Sequence, residues 1–454
     1  MTPRTRIVLA GAIGNIVEWY DFGLYGLLAP VLATLYFPSH DRIAALLGVY
    51  GGFAVGFAMR PIGAIVLGRV GDRQGRQFVM VLSVALMGIS TVAIGLLPIY
   101  ETIGILAPVL LFAIRLFQGF SVGGEFVGSV TYLVETAPEN RRGISGSVAN
   151  LGATIGMLLA AAAGALVEIR PGASTQLWRA PFLFGGALAL VGYLMRRHLP
   201  PEEAIAESKD IHGSASSEEI ERQDSALEHS SKKPLEKLIA RWPVFRAFQE
   251  IPKTMIVTML FTCGYGISNY VTMVFLPTFG REFANISQST ALHVNSVGQA
   301  VALIVVPLAG WMSDRWFRRK TMLALAFLAE AVVAWELFGL VLKEGVAGLW
   351  VAQLLFAGLL AVVMGTAPAM LSEQFPPGYR VSAHALVLNV GIGIAGGTSP
   401  MVAVALIRST GSTMAPAIYL AAACLVSSLA ALFLKERIGA FPLAISKEHS
   451  STAV

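Results

Sequence analysis

The chain has 454 residues, of which 55% are hydrophobic and 13% are charged. A soluble globular domain carries about 25% charged residues, so this composition excludes a soluble protein and predicts an integral membrane protein. The formal net charge of +5 would also suit a nucleic-acid binder. The basic residues, however, lie in short loops between apolar runs, as membrane orientation requires, so we expect no nucleic-acid partner.

Twelve apolar runs are long enough to span a bilayer. A spanning helix needs about 20 mostly apolar residues, and continuous runs favour helices over the alternating segments of a β-barrel. The first half gives spans at 7–37, 43–70, 78–98, 102–134, 143–168 and 178–199. The second half gives spans at 253–283, 287–312, 321–342, 346–373, 381–408 and 413–435. The sequence therefore predicts an all-α membrane protein with twelve transmembrane helices in two six-helix bundles.

The predicted domains are an N-terminal bundle over 1–199, a charged cytoplasmic linker over 200–248, a C-terminal bundle over 249–436 and a short cytoplasmic tail over 437–454. The linker is rich in Glu, Ser and Lys, a composition that cannot bury a core. Basic residues concentrate in the loops on one side of the spans, which the positive-inside rule makes the cytoplasmic side. Because the number of spans is even, we expect both termini in the cytoplasm and a multi-pass protein of the cytoplasmic membrane.

Two charged loop patterns of the first half return in the second half at nearly constant spacing. In the first, Asp72, Arg73 and Arg76 align with Asp314, Arg315 and Arg318. In the second, Glu135 and Arg142 align with Glu373 and Arg380. The repeats indicate that the chain is built twice. The positive-inside rule alone would explain the arginines of these loops but not the acids. The pattern therefore favours ion pairs that hold the helix ends together.

The first span carries ionisable residues that are expensive inside a membrane. A charged side chain there costs at least about 2.5 kcal/mol on insertion scales and is a functional candidate by default. Glu18, Asp21 and Tyr25 are spaced by three and four residues, which places them on one helical face. We predict that Asp21 and Glu18 take part in proton coupling and that Tyr25 contacts the substrate. The alternative for Glu18 is a hydrated position near the membrane interface.

The fourth span contains Arg115, Gln118 and Glu125. Arginine stays protonated and presents a planar fork that suits carboxylates. We expect Arg115, with Gln118, either to bind a substrate carboxylate or to pair with Asp21 or Glu125. The alternative is a purely structural ion pair. In the coupling hypothesis, substrate binding to Arg115 releases Asp21 or Glu125, and the released carboxylate then takes up a proton because burial disfavours its charge.

Other polar residues of the spans are weaker candidates. Arg60 precedes Pro61 in the second span, where it either faces the cavity or braces a kink. Asn269 and Asn389 lie in apolar spans and are candidates for substrate hydrogen bonds, although such residues more often join helices to one another.

Several motifs resemble a known family. The pattern Gly68-x-x-x-Asp72-Arg73-x-Gly75-Arg76 resembles the loop signature of the major facilitator superfamily. The segments at 14–22, 59–63 and 115–125 are similar to its metabolite:proton symporter branch, whose members carry α-ketoglutarate, citrate, shikimate, dicarboxylates, or proline and betaine. One departure is Phe317, which stands where the family loop has a glycine.

The resemblance implies a fold and a gating role. It implies two six-helix bundles related by a pseudo-twofold axis along the membrane normal, with a substrate site between them that alternates in access. It also implies that the repeated loops latch the cytoplasmic side. The residues expected to gate in this way are Asp72, Arg73, Arg76, Glu135, Arg142, Asp314, Arg315, Arg318, Glu373 and Arg380.

The predicted function is proton symport of a small carboxylate-bearing metabolite, first an organic acid such as α-ketoglutarate or citrate. The alternative is a zwitterion such as proline or glycine betaine, and remoter alternatives are a polytopic membrane enzyme and a channel. The sequence has no Gly-x-x-x-x-Gly-Lys-Ser/Thr loop for ATP and no His or Cys spacing for a metal. We therefore expect no cofactor beyond the proton gradient. The expected partners are the substrate, protons and the lipid bilayer, with the protein acting as a monomer.

Overall fold

The computed structural model describes residues 3–74, 76–121, 130, 133–134, 137–167, 176–197, 243–376 and 380–436. Every element of regular structure within these ranges is a helix. The predicted linker over 200–248 and the tail over 437–454 lie outside them, apart from residues 243–248.

The first span is bent. Helix α1 covers Pro3–Leu27 and helix α2 covers Ala29–Tyr36, with an angle of 62° between them. Pro30 lies in the first turn of α2, where its missing N–H costs nothing. The break at Leu28 therefore separates the two helices, which together correspond to the predicted span at 7–37.

The remaining helices of the N-terminal half follow the predicted order. They are α3 Arg42–Gln74, α4 Arg76–Leu96, α5 Tyr100–Ile103, α6 Leu106–Ser121, α7 Arg142–Ala165 and α8 Arg179–Arg197. The fourth span does not begin at residue 102 as predicted. Gly104 adopts a φ of 58°, in the left-handed region, and so ends the short α5 before α6 begins.

The described residues of the C-terminal half form nine further α-helices and two π-helical segments. The α-helices are α9 Pro243–Glu250, α10 Pro252–Tyr270, α11 Leu276–Ala284, α12 Gln288–Arg315, α13 Arg319–Glu344, α14 Val346–Ser372, α15 Arg380–Leu388, α16 Gly397–Thr410 and α17 Ala415–Phe433. The π-helical segments Val271–Phe275 and Asn389–Gly396 join α10 to α11 and α15 to α16. Each joined set forms one continuous span.

Twelve transmembrane helices account for this architecture, as predicted. Among the described residues, nine helical spans are long and apolar enough to cross a membrane, and the bent pair of α1 and α2 adds a tenth. The other two are the shorter apolar α6 and the 19-residue α8, which carries arginines at both ends.

The two halves meet along α7 and α12, and again along α3 and α16. Small residues allow close approach: an added Cβ at Gly310 of α12 would lie 2.8 Å from the carbonyl oxygen of Gly143 on α7. Helix α9 crosses the predicted linker boundary at 248. Its Ala247 is buried against Met255, Phe375 and Val387, so packing of the C-terminal half begins before residue 249.

Candidate substrate and proton site

A buried ion pair lies at the centre of the N-terminal half. Arg115 is 0% exposed and Asp21 is 1% exposed, and Arg115 Nη1 lies 3.8 Å from Asp21 Oδ2. Arg115 Nη1 also donates to Gln118 Oε1 at 2.5 Å. Because a lone charge in the membrane interior is very costly, these groups are held where they compensate one another.

Thr91 of α4 completes this network. Its hydroxyl lies 2.6 Å from Asp21 Oδ1 and 2.8 Å from the carbonyl oxygen of Met87, and it accepts from Gln118 Nε2 at 3.3 Å. The hydroxyl has a single proton and can donate to one of the two oxygens at a time. When it donates to Met87, a protonated Asp21 can donate to Thr91, so the network accommodates both protonation states of Asp21.

Aromatic rings surround the Arg115 guanidinium. Its central carbon lies 4.3 Å from the ring centroid of Tyr25, 4.7 Å from that of Phe22 and 5.6 Å from that of Phe53. Within the described part of the chain, Arg115 Nε and Nη2 have no hydrogen-bond partner. The position of this guanidinium depends on Gly56 of α3, because a Cβ at that residue would lie 3.3 Å from Arg115 Nη2.

A second ion pair lies on the same face of α1. Arg60 Nη2 is 3.2 Å from Glu18 Oε1, and both side chains are buried. The Arg60 guanidinium lies 4.3 Å from the ring centroids of both Phe22 and Phe57. Glu18 and Asp21 are therefore each beside an arginine, so this cluster contains two acids and two bases.

The C-terminal half contributes Tyr270, which lies at the end of α10 where the π-helical segment begins. Its ring is 6.2 Å from Trp19 in a stacked arrangement, 5.2 Å from Phe57 and 5.6 Å from Phe53. Its buried hydroxyl has no hydrogen-bond partner among the described residues. Tyr270 is therefore placed to contact a molecule bound between the halves.

Three predicted substrate-binding residues are engaged in other contacts or set apart from the charges. The Tyr25 hydroxyl donates to the carbonyl oxygen of Val49 at 3.1 Å. Its contact with Arg115 is made by the ring, which lies against the guanidinium. Asn389 donates to Ala385 one turn back in its own helix. Asn269 is buried beside Tyr270 in the chain. Glu125, predicted to take part in proton coupling, lies outside the described residues.

The face that carries the arginine-rich loops, called here the basic face, is closed by contacts between the halves. Asp314, at the end of α12, accepts from the backbone N–H of Gly143 at 2.7 Å and of Ile144 at 2.9 Å. These donors are at the N-terminus of α7, where the helix dipole favours an anion. Glu373 adds a second bridge, since its Oε1 lies 3.6 Å from Arg142 Nη1.

The arginine that joins these acids is not the predicted one. Arg319 lies 2.8 Å from Asp314 Oδ1 and 3.0 Å from Glu373 Oε1, whereas the repeat predicts Arg318 beside Asp314. Arg318 precedes α13 with extended backbone and is exposed, and Arg315 packs on the Trp311 ring. Arg319 begins the helix and faces inward. Glu135 and the side chains of Asp72, Arg73, Arg76 and Arg380 lie outside the description.

The opposite face is also bridged, by residues that the sequence analysis did not select. Arg42 binds Glu282 with two hydrogen bonds, of 2.8 Å from Nε and 2.7 Å from Nη2. Arg408 Nη2 lies 3.1 Å from Asp41 Oδ2. Contacts between the halves thus close both ends of the interface, and the central cluster lies in an occluded arrangement.

Comparison with known proteins identifies the family. The sequence profile of the Major Facilitator Superfamily matches residues 11–400 and 259–448. The chain belongs to the major facilitator superfamily. It is 30% identical to the glycine betaine/proline/ectoine/pipecolic acid transporter OusA of Dickeya dadantii (strain 3937) over 440 residues, which cover 95% of this chain and 83% of that protein. It is 30% identical to the citrate-proton symporter of Klebsiella pneumoniae over 439 residues, which cover 96% and 92%.

The solved structures agree with the fold of this superfamily. The crystal structure of D-xylose-proton symporter superposes with a TM-score of 0.72 at 18% sequence identity and covers 95% of this chain and 97% of that one. The predicted resemblance to metabolite:proton symporters is confirmed. This major facilitator protein is accordingly a transporter and not an enzyme.

Sequence reasoning selected Gln118 and Tyr25 but missed four other uncharged residues of the site. Thr91, Trp19, Phe22 and Phe57 sit in apolar runs, where an aromatic or a hydroxyl side chain does not stand out. The local signal that was available is the segment at 14–22, in which Trp19 and Phe22 flank the acids.

Proposed function

We propose that this protein is a proton-coupled symporter of a small zwitterion, a molecule with one carboxylate and one cationic nitrogen, such as proline or glycine betaine. The observation that carries the proposal is the charge balance of the central cluster. Among the described residues, Glu18 and Asp21 lie beside Arg60 and Arg115, so the unloaded cluster is formally neutral.

A zwitterion preserves that balance, whereas a citrate-like anion adds two or three negative charges to a buried site. Uncompensated charge in a low-dielectric interior is strongly unfavourable. The carboxylate of the substrate would accept from Nε and Nη2 of Arg115, which lack other partners. These two groups are neighbours on the guanidinium fork and suit a bidentate carboxylate.

The cationic end has a complementary surface on the same site. Trp19, Phe57 and Tyr270 present packed aromatic rings next to the Glu18–Arg60 pair. Aromatic faces attract ammonium groups, and quaternary ammonium ligands are commonly held in such cages. Glu18 adds the negative charge that this end requires. The relative from Dickeya dadantii is a transporter of glycine betaine and proline, among other substrates, which supports the same assignment.

Proton coupling follows from the Arg115–Asp21 contact. When a substrate carboxylate binds Arg115, the guanidinium charge is shared, and the charged form of Asp21 loses part of its compensation. Asp21 then takes up one proton, which turns the carboxylate into a neutral carboxyl group that donates to Thr91. The loaded cluster then carries one net positive charge, that of the transported proton, because the zwitterion itself adds none. Release of the substrate frees Arg115 to pair with Asp21, which gives up the proton on the other side.

An organic acid, the first choice from sequence, is the second candidate. The observation that favours it is the presence of two buried arginines, each able to hold a carboxylate, and the citrate-proton symporter of Klebsiella pneumoniae is a relative of equal identity.

We also propose that the basic face is cytoplasmic, that both termini lie there, and that the protein works as a monomer in the cytoplasmic membrane.

Competition in proteoliposomes tests the substrate assignment. Uptake of labelled proline and of labelled glycine betaine is measured under an inward proton gradient, with unlabelled citrate and α-ketoglutarate as competitors. We expect gradient-dependent uptake of at least one zwitterion and no inhibition by either acid. Uptake of labelled citrate, with no uptake of either zwitterion, would assign the organic-acid function instead. Uptake without gradient dependence would contradict proton coupling.

A further inference from the structure

The C-terminal half contains a buried acid outside the central cluster. Glu330 lies near the middle of α13 and is 0% exposed. Its Oε1 accepts a hydrogen bond from Ser268 Oγ at 2.6 Å, and its Oε2 has no hydrogen-bond partner within the described ranges. The site described above does not use this residue, and the sequence analysis did not select it.

No basic side chain compensates Glu330 in the part of the chain that the structure covers. From α17, the group that faces it is the Cys424 thiol, and from α10 it is the Ser268 hydroxyl. Helix α14, which packs along α13, has no ionisable side chain. Arg281 and Glu282 of α11 are engaged with Gln288 and Arg42 at the opposite face. Because an isolated buried carboxylate is very costly, Glu330 carries a proton in this occluded arrangement.

The partner of Glu330 lies at a break in α10. Ser268 is two residues before Tyr270, and the π-helical segment Val271–Phe275 follows directly. Its carbonyl oxygen accepts from Thr272 Oγ1 at 2.7 Å. The hydrogen bond between Ser268 and Glu330 therefore ties α13 to the point where α10 changes its winding.

Polar side chains from neighbouring helices support this break. Asn295 of α12 donates to the carbonyl oxygen of Met273 at 2.9 Å, and Gln353 of α14 donates to that of Thr272 at 3.3 Å. Single-turn π segments inside helices are frequent at functional sites, and displaced carbonyls need such partners. The break is thus a built feature that begins directly after Tyr270, whose ring packs on Trp19 and Phe57.

We propose that Glu330 is a second proton-binding residue of the transport cycle. It holds one proton while the halves are closed and releases it when α10 moves at its break and water reaches the carboxyl group. One proton leaves and one carboxylate remains, stabilised by the hydrogen bond from Ser268 until it is reprotonated. Coupling then uses one acid from each half, Asp21 and Glu330. This inference rests on the proposed proton symport.

The test is the proton-to-substrate ratio of Glu330→Gln. Glutamine keeps the neutral, hydrogen-bonding form but cannot exchange a proton. Steady-state accumulation of labelled proline or glycine betaine, whichever the unmodified protein transports, is measured against the pH gradient with the membrane potential clamped at zero. We expect accumulation to fall about tenfold per pH unit of gradient, as loss of one coupled proton requires. Exchange of labelled for unlabelled substrate, with no gradient, should stay close to that of the unmodified protein.

The matched control is Glu336→Gln, on the same helix but exposed, and we expect it to change neither quantity. An unchanged ratio in Glu330→Gln would show that Glu330 is a structural neutral acid and would overturn the inference. Elution as a single species shows that Glu330→Gln is folded. If it does not elute in this way, Ser268→Ala serves instead, since it keeps the acid but removes its donor. We expect Ser268→Ala to displace the pH profile of accumulation, and an unchanged profile would overturn the inference.

Failure of this inference and failure of the proposed function give different results. If accumulation by the unmodified protein ignores the pH gradient, both proton symport and the role of Glu330 are wrong. If the unmodified protein follows the gradient and Glu330→Gln follows it equally, only the role of Glu330 is wrong.

Discussion

The two halves of this transporter share a helical plan but differ in how they carry charge in the membrane interior. The N-terminal half holds Asp21 beside Arg115 and Glu18 beside Arg60, all buried and among aromatic rings. The described C-terminal half holds the uncompensated Glu330 and two π-helical segments. We propose that the two halves have separated tasks: the first recognises charge, and the second supplies an adjustable backbone and the aromatic ring of Tyr270.

The separation has a physical reason. Compensated charges need rigid surroundings, because a small displacement of either partner leaves a buried charge alone. A helix that changes its winding cannot provide such surroundings. Gly56 lets α3 approach Arg115 of α6 closely, whereas a π-helical segment interrupts the regular winding directly after Tyr270. Four substitutions can break this division of tasks between the halves, and we expect their effects to decrease in the order Arg115, Asp21, Asp314 and Tyr270.

Replacing Arg115 by Gln should have the largest effect. The change leaves Asp21 without its guanidinium and removes the proposed anchor for the substrate carboxylate. Truncating one partner of a buried charge pair costs about 2 to 5 kcal/mol, so we expect uptake efficiency to fall by at least roughly thirtyfold. Arg115→Lys should fail as well, because an ammonium cannot form the bidentate fork. Initial rates over a range of substrate concentrations measure this. Near-normal uptake in either variant would contradict a recognition role for this half.

Replacing Asp21 by Asn should separate coupling from binding. Asparagine can still contact Thr91 but cannot take up a proton, so we expect gradient-driven accumulation to fall to the part that Glu330 couples, with exchange retained. Both are measured in the same proteoliposome preparation. Thr91→Val serves as the companion variant, since it removes the hydroxyl that accommodates both protonation states, and we expect weakened accumulation. Full accumulation by Asp21→Asn would contradict the proposed role of Asp21 in proton coupling.

Replacing Asp314 by Asn should open the basic face. The carboxylate accepts from two backbone N–H groups of α7 and from Arg319. A hydrogen bond to a charged group is worth about 1.5 to 3 kcal/mol, so the population open at this face should rise roughly tenfold. Labelling of a cysteine introduced near residue 150 reports that population. Arg42→Gln, which breaks the bridge to Glu282 at the opposite face, should lower the labelling instead. Equal labelling in both variants would contradict the two-ended closure.

Replacing Tyr270 by Phe should have the smallest effect. The ring and its packing on Trp19 remain, and the hydroxyl without a partner is lost. A single neutral hydrogen bond is worth about 1 kcal/mol, so we expect KM to rise roughly fivefold with the maximal rate little changed. Tyr25→Phe is the contrasting variant, because the Tyr25 hydroxyl donates to Val49 within the N-terminal half. A larger KM effect from Tyr25→Phe than from Tyr270→Phe would reverse the assigned roles.

The sequence predicts the fold well because spans and their number depend on composition over about 20 residues. It also selects Asp21, Arg115 and Gln118, since charged or amide groups stand out in apolar runs. The structure places these three in one network. Glu330 stands out in the same way, and it was overlooked because it has no charged neighbour within a helical turn.

Other features depend on tertiary geometry that the sequence does not display. Arg318 and Arg319 are chemically equal neighbours, and only the start of α13 decides that Arg319 faces Asp314. The π-helical segment after Tyr270 has no sequence signature, because side chains of α12 and α14 hold it. Likewise, Arg42 and Glu282 are brought together across the halves from distant parts of the chain.

Substrate and proton cross together through the Asp21 site in this mechanism. Recording the proton movement that the substrate alone causes is the sharpest test of it. Proteoliposomes that enclose a pH indicator are given unlabelled proline or glycine betaine with no imposed gradient. We predict acidification of the interior with the unmodified protein and markedly less with Asp21→Asn, although both variants exchange substrate. Substrate entry without acidification in the unmodified protein, or equal acidification with Asp21→Asn, would contradict the account.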